Sequence, residues 1–113
     1  MLRAGLTFLM LATAAAAQDG WVPLTGSVAQ KVLSDRVLAY PDGAKQKFAL
    51  NGETVYKKNH PQPGNWKIDG DKYCSLWPPS DTWTCYRLEA NAAGTVIRFI
   101  ADDGSVTEGR IAD

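Results

Sequence analysis

The stretch Trp66-Lys67-Ile68-Asp69-Gly70-Asp71-Lys72-Tyr73-Cys74-Ser75-Leu76-Trp77-Pro78-Pro79-Ser80-Asp81-Thr82-Trp83-Thr84-Cys85-Tyr86 holds both cysteines of the chain and three of its four tryptophans. Two alternating runs, Lys72 to Trp77 and Thr82 to Leu88, flank a segment whose two prolines cannot continue a ladder. The stretch therefore reads as a β-hairpin with a proline-rich loop. Cys74 and Cys85 lie near the inner ends of the runs, and a disulfide across neighbouring strands is expected, with a Cα separation of about 4.4 to 6.8 Å. Closing a loop of this length contributes roughly 3 kcal/mol in the chain-entropy account. Period-two alternation places Tyr73, Ser75 and Trp77 on one face and Cys74 and Leu76 on the other. Trp66 and Ile68 share a face of the preceding run.

Outward from this hairpin the same rhythm recurs. Arg36 to Tyr40, Lys45 to Leu50, Glu53 to Lys58, Asn65 to Ile68, Thr95 to Ala101 and Val106 to Ile111 are short alternating or apolar runs. Turn residues such as Pro41-Asp42-Gly43, Asn51-Gly52, Asp69-Gly70-Asp71 and Asp102-Asp103-Gly104 separate them. Eight strands on connections this short must be antiparallel neighbours, because a parallel pair needs a crossover of about a dozen residues or more. The expected fold is mainly β: a small antiparallel meander of about eight strands, closing into a barrel or a strongly curled sheet. Strands of about five to seven residues leave little internal volume on this reading. Arg36 to Tyr40 is the weakest strand, since Pro41 ends its ladder. One short helix precedes the strands, with Ser27 and Gln30 as a capping box and Val28, Val32 and Leu33 as an apolar stripe. So short a helix needs a larger surface, and an open end or face of the sheet supplies one.

The first seventeen residues read as a cleavable secretory signal: Arg3, an apolar stretch from Ala4 to Ala14, then Ala15-Ala16-Ala17 before Gln18. That apolar stretch is shorter than the roughly 20 residues of a membrane-spanning helix. The remaining 96 residues, Gln18 to Asp113, make one small domain with eleven basic and twelve acidic residues, a net charge of 11 − 12 = −1. With no basic stripe, nucleic acid and anionic membrane surfaces are poor partners. A domain of this size buries only about 60 to 65% of its unfolded surface, so a cross-link matters, and two cysteines in an exported chain supply one.

No catalytic or metal-binding pattern stands out. His60 is the single histidine, and a Ser-His-Asp set with Ser80 and Asp81 has neither a nucleophile elbow nor a glycine-rich oxyanion loop around it. Cys74 and Cys85 with one histidine do not make a zinc set, and the Asp/Gly clusters are turn chemistry without the spacing of a calcium loop. No cofactor is expected. The better candidates are aromatic: Tyr73, Trp77, Trp83 and Tyr86 flank the loop carrying Pro78 and Pro79, and large amphipathic rings on a rigid turn suit a binding surface. The same rings serve equally as core in a domain with only Phe48 and Phe99 besides.

The run Tyr40-Pro41-Asp42-Gly43 with Gln46 and Phe48, then Gly64-Asn65-Trp66, Asp71 to Ser75, and Trp77-Pro78-Pro79-Ser80 to Trp83-Thr84-Cys85-Tyr86, resembles a group of small exported alphaproteobacterial proteins of unknown function. That resemblance spans most of the mature chain and implies no activity or ligand. At the level of fold alone the chain is similar to the periplasmic lysozyme inhibitors, small disulfide-bearing β-barrels, although no loop here matches their inhibitory loop. The expected function is that of a periplasmic or secreted, non-enzymatic binding or accessory module. It would hold an envelope protein or a small apolar ligand at the loop from Trp77 to Trp83. A small hydrolase using His60 and Ser80, or an inhibitor-like protein, is the alternative.

Overall fold

Alternation and turn chemistry carry through to the tertiary structure. A computed structural model of the protein describes residues 20–113, so the signal-peptide reading of residues 1–17 lies outside the described residues. The elements in order are β1 (Trp21–Leu24), α1 (Gly26–Leu33), β2 (Arg36–Ala39), β3 (Lys45–Phe48), β4 (Glu53–Lys57), β5 (Pro61–Asp69), β6 (Lys72–Leu76), β7 (Thr84–Asn91), β8 (Val96–Ile100) and β9 (Val106–Ile111). Strands β2 to β9 pair antiparallel in sequence order, and β2 also pairs with β9, so eight strands close an up-and-down barrel. The closing ladder is short, Leu38↔Ile111 and Ala39↔Arg110. It is extended by Ala112 N–H donating to the Val37 carbonyl at 2.9 Å. Pro41 accounts for part of that brevity, since the chain turns at once into the β2–β3 hairpin, with Tyr40 N–H on the Ala44 carbonyl at 2.8 Å.

Three sequence expectations change. A ninth strand, β1, was not anticipated: it lies on the half of β7 beyond the reach of β6, pairing with Leu88 to Asn91 while β6 pairs with Thr84 to Arg87. As a four-residue edge strand it tolerates Pro23. β5 begins at Pro61 rather than Asn65. Residues 61–64 pair with β4 alone, since β6 reaches only as far as Asn65, and a strand with one neighbour accommodates Pro61 and Pro63. The capping box does not form. α1 starts at Gly26 behind Thr25, which makes no side-chain cap, and the Gln30 amide instead donates to the Ser34 hydroxyl at 3.2 Å. The buried stripe is Ala29 and Leu33 with Val32 beside them, and Val28 is 56% exposed. Starting the helix before Ser27 puts Ala29 on the inner face and Val28 on the outer one.

Because successive connections lie at alternate ends, the β3–β4, β5–β6 and β7–β8 turns share one end of the barrel with α1. There Gly26 N–H donates to the Gly70 carbonyl at 2.8 Å. Leu33 and Ala29 join Leu24, Leu38, Phe48, Trp66, Leu88 and Ile97 in one apolar cluster that fills this half. The Phe48 ring meets Trp66 edge-on at 5.6 Å, and the Trp66 indole N–H donates to the Ala49 carbonyl at 2.9 Å, so this tryptophan is core. The β2–β3, β4–β5, β6–β7 and β8–β9 connections lie at the other end.

Candidate functional site

The β6–β7 hairpin stands at the end of the barrel opposite α1. Cys74 and Cys85 face each other across β6 and β7, and their sulfurs are at bonding distance. Their Cα atoms are 4.0 Å apart, below the expected range, because the two cysteines sit directly opposite in register, where antiparallel strands bring some residue pairs closest. The link ties the base of the Trp77–Trp83 loop.

Inside that loop lies a cavity of about 630 Å³, where the short strands were expected to leave little room. Two inward-facing glycines account for much of it. A β-carbon on Gly64 would lie 2.5 Å from the Trp77 ring and 2.7 Å from the Leu76 carbonyl, and one on Gly109 would lie 3.0 Å from the Tyr40 ring. Both rings therefore lie against bare backbone, leaving the centre empty. Trp77 is fixed further by its indole N–H, which donates to Ser75 Oγ at 3.2 Å, and by an edge-to-face contact with Tyr56 at 6.3 Å.

The cavity wall is mainly aromatic: Tyr40, Tyr56, Tyr73, Tyr86, Trp77 and Phe99, with Gln46, Gln62, Ser75 and Thr107 between them and the ion-paired carboxylates of Asp42 and Glu108 also on the lining. At its inner end a buried amide organises the hydroxyls. Thr54 donates to the Lys47 carbonyl at 2.6 Å, so its oxygen accepts from Gln46 Nε2 at 2.9 Å. Gln46 Oε1 accepts from the Tyr40 hydroxyl at 2.6 Å, and Nε2 also donates to the Tyr73 oxygen at 3.3 Å. Burial pushes the Tyr73 hydroxyl up to about 12, against the opposing pull of the Gln46 hydrogen bond and of Ser75 nearby. Burial, and next the neighbouring Tyr73 and Tyr56, raise Tyr40 as well. Near neutral pH both rings carry their protons.

The structure thus divides the expected aromatic set. Tyr73, Trp77 and Tyr86 line the cavity. Pro78 and Pro79, joined by a cis peptide bond, are exposed on the loop. Trp83 points away from the cavity: it is 37% exposed on the outer wall, with Lys67 Nζ 4.3 Å above its ring. His60 and Asp81 are exposed on the β4–β5 and β6–β7 connections, and the Ser80 hydroxyl accepts from Thr82 N–H at 3.2 Å within its own loop. Sequence reasoning missed Tyr40, Gln46, Tyr56 and Gln62. The usable signal was Gln46, a polar residue two positions from Phe48 and so on the parity of the core.

Fold and cavity together define a small calyx, an eight-stranded up-and-down barrel plugged by a helix at one end and hollow behind a stapled loop at the other. No protein-family model, no curated protein and no solved structure matches the chain.

Proposed function

We propose that this is an exported binding protein, periplasmic or secreted and without enzymatic chemistry, that holds a small molecule in the barrel cavity. The observation that carries this reading is the cavity itself. Its volume of about 630 Å³ falls among ligand sites, which run from roughly 300 to 1,000 Å³ and combine apolar walls with a few convergent polar groups. The disulfide and the two prolines hold the loop in place before binding, which lowers the ordering cost of association. Titrating the purified protein with a fragment library tests it. Saturable NMR shifts of the Trp77 indole N–H and the Gln46 side-chain amide support the reading, and a library that moves neither overturns it.

A protein partner is the second reading, favoured by one observation: Trp83 presents a large ring on the outside of the same loop. Trp83→Ala should leave cavity binding unchanged, whereas binding of an envelope protein to the outer wall would weaken by about 2 kcal/mol or more.

A further inference from the structure

The hydrogen-bond directions at the inner end of the cavity specify what a ligand must bring. The Lys47 carbonyl only accepts, so Thr54 donates to it, Gln46 Nε2 donates to Thr54, and Gln46 Oε1 takes the Tyr40 proton. The remaining Nε2 hydrogen goes to the Tyr73 oxygen. Beside it the Ser75 hydroxyl accepts the Trp77 indole N–H at 3.2 Å. Both hydroxyls are acceptors in these bonds, so each still has its own proton to give. Among the described residues no side chain or backbone group takes either. A buried donor without a partner costs about 1–3 kcal/mol, and a ligand oxygen placed there recovers it.

Charge narrows the class further. No lysine, arginine or histidine lines the cavity, and its two carboxylates are already engaged. Asp42 pairs with Lys58 at 3.3 Å, and Glu108 with Arg98 at 2.9 Å. An anion would be desolvated with no cation to meet it, and a cation would have ring faces and only carboxylates already held by Lys58 and Arg98. We infer that the cavity takes an uncharged, ring-bearing molecule whose hydrogen-bond acceptor meets the Tyr73 and Ser75 hydroxyls while its ring lies among Tyr56, Trp77 and Tyr86. This rests on the small-molecule reading above.

Four probes of one shape test it at neutral pH: acetophenone, ethylbenzene, benzoate and benzyltrimethylammonium, each titrated against the Trp77 indole N–H signal. Acetophenone should bind tighter than ethylbenzene, and at least about tenfold tighter than either ion, a difference of roughly 1.4 kcal/mol. In Tyr73→Phe/Ser75→Ala the lead of acetophenone over ethylbenzene should fall by about tenfold. Ser75→Ala alone leaves the Tyr73 proton free and should keep that lead, with ethylbenzene binding retained in both as the sign that the cavity is intact. Equal or tighter binding of either ion overturns the neutrality. Ethylbenzene ahead of acetophenone in the unaltered protein, or an undiminished lead of acetophenone in the double variant, overturns the acceptor. Silence from all four while other library fragments bind overturns this inference alone. Silence from the whole library removes the binding reading beneath it.

Discussion

At Gly64 a missing β-carbon decides where Trp77 sits. Gly64→Ala forces a methyl group onto both the indole and the Leu76 carbonyl, and only the indole is able to swing away, into the cavity. Overpacking of this kind costs about 1–3 kcal/mol. Urea unfolding should show that loss together with weaker binding of any cavity ligand, and an unchanged midpoint would mean that the ring is not held as described. The buried tyrosines make a separate prediction about pH. Below about pH 10 their hydroxyls are protonated in the folded and unfolded chains alike, so their contribution to stability is fully present there. Above it the unfolded chain releases protons first, and stability falls as pH rises until Tyr73 itself ionises near 12. A rise from 10.0 to about 12 corresponds to roughly 3 kcal/mol for that residue. Urea midpoints measured at pH 8, 10 and 11 should therefore decline, and Tyr73→Phe should flatten the decline. A slope unchanged in that variant would show that Tyr73 does not drive it.

Among the elements, the β6–β7 hairpin has the most at stake. Replacing both Cys74 and Cys85 with serine should lower stability by about 3 kcal/mol and release the loop base, so that ligand affinity falls in the fraction that remains folded. Equal stability of the double variant and the parent would show that the link adds nothing to the closed barrel. Much of this hairpin was legible beforehand. The alternation from Lys72 to Trp77 placed Tyr73, Ser75 and Trp77 on one face, and that face is the cavity wall. Trp83 obeys the same period: in the run from Thr82 it shares the parity of Cys85, opposite Tyr86, and it lies on the outer wall. The helix, by contrast, misled. Ser27 and Gln30 satisfy the capping pattern, but the start of α1 is set by the hydrogen bond from Gly26 to Gly70, a residue 44 positions away.

For the whole molecule, closure is the decisive event, and its seam is thin. β2 meets β9 in two residue pairs, where β8 meets β9 in five. Local opening starts where few backbone bonds must break, so hydrogen exchange should be faster for the amides linking β2 to β9 than for those linking β7 to β8. Seam amides protected as strongly as those between β7 and β8 would show that the barrel opens only by global unfolding.

What the sequence by itself determined is local: the eight barrel strands in outline and their turns, the antiparallel order that short connections impose, the disulfide, and the shared face of Tyr73, Ser75 and Trp77. Each depends on neighbours in the chain or on the next strand along, and period two and turn chemistry record both. The cavity was decided by tertiary structure alone. Tyr40 and Gln46 come from the first hairpin of the barrel, Tyr56 and Gln62 from the second, Trp77 and Tyr86 from the stapled loop and its strand, and Thr107 from the last strand. They face one another only once β2 has met β9, and whether their rings fill the middle or leave it hollow depends on how they lie against Gly64 and Gly109. No local pattern encodes the width of a closed ring of strands, which is set by all eight together.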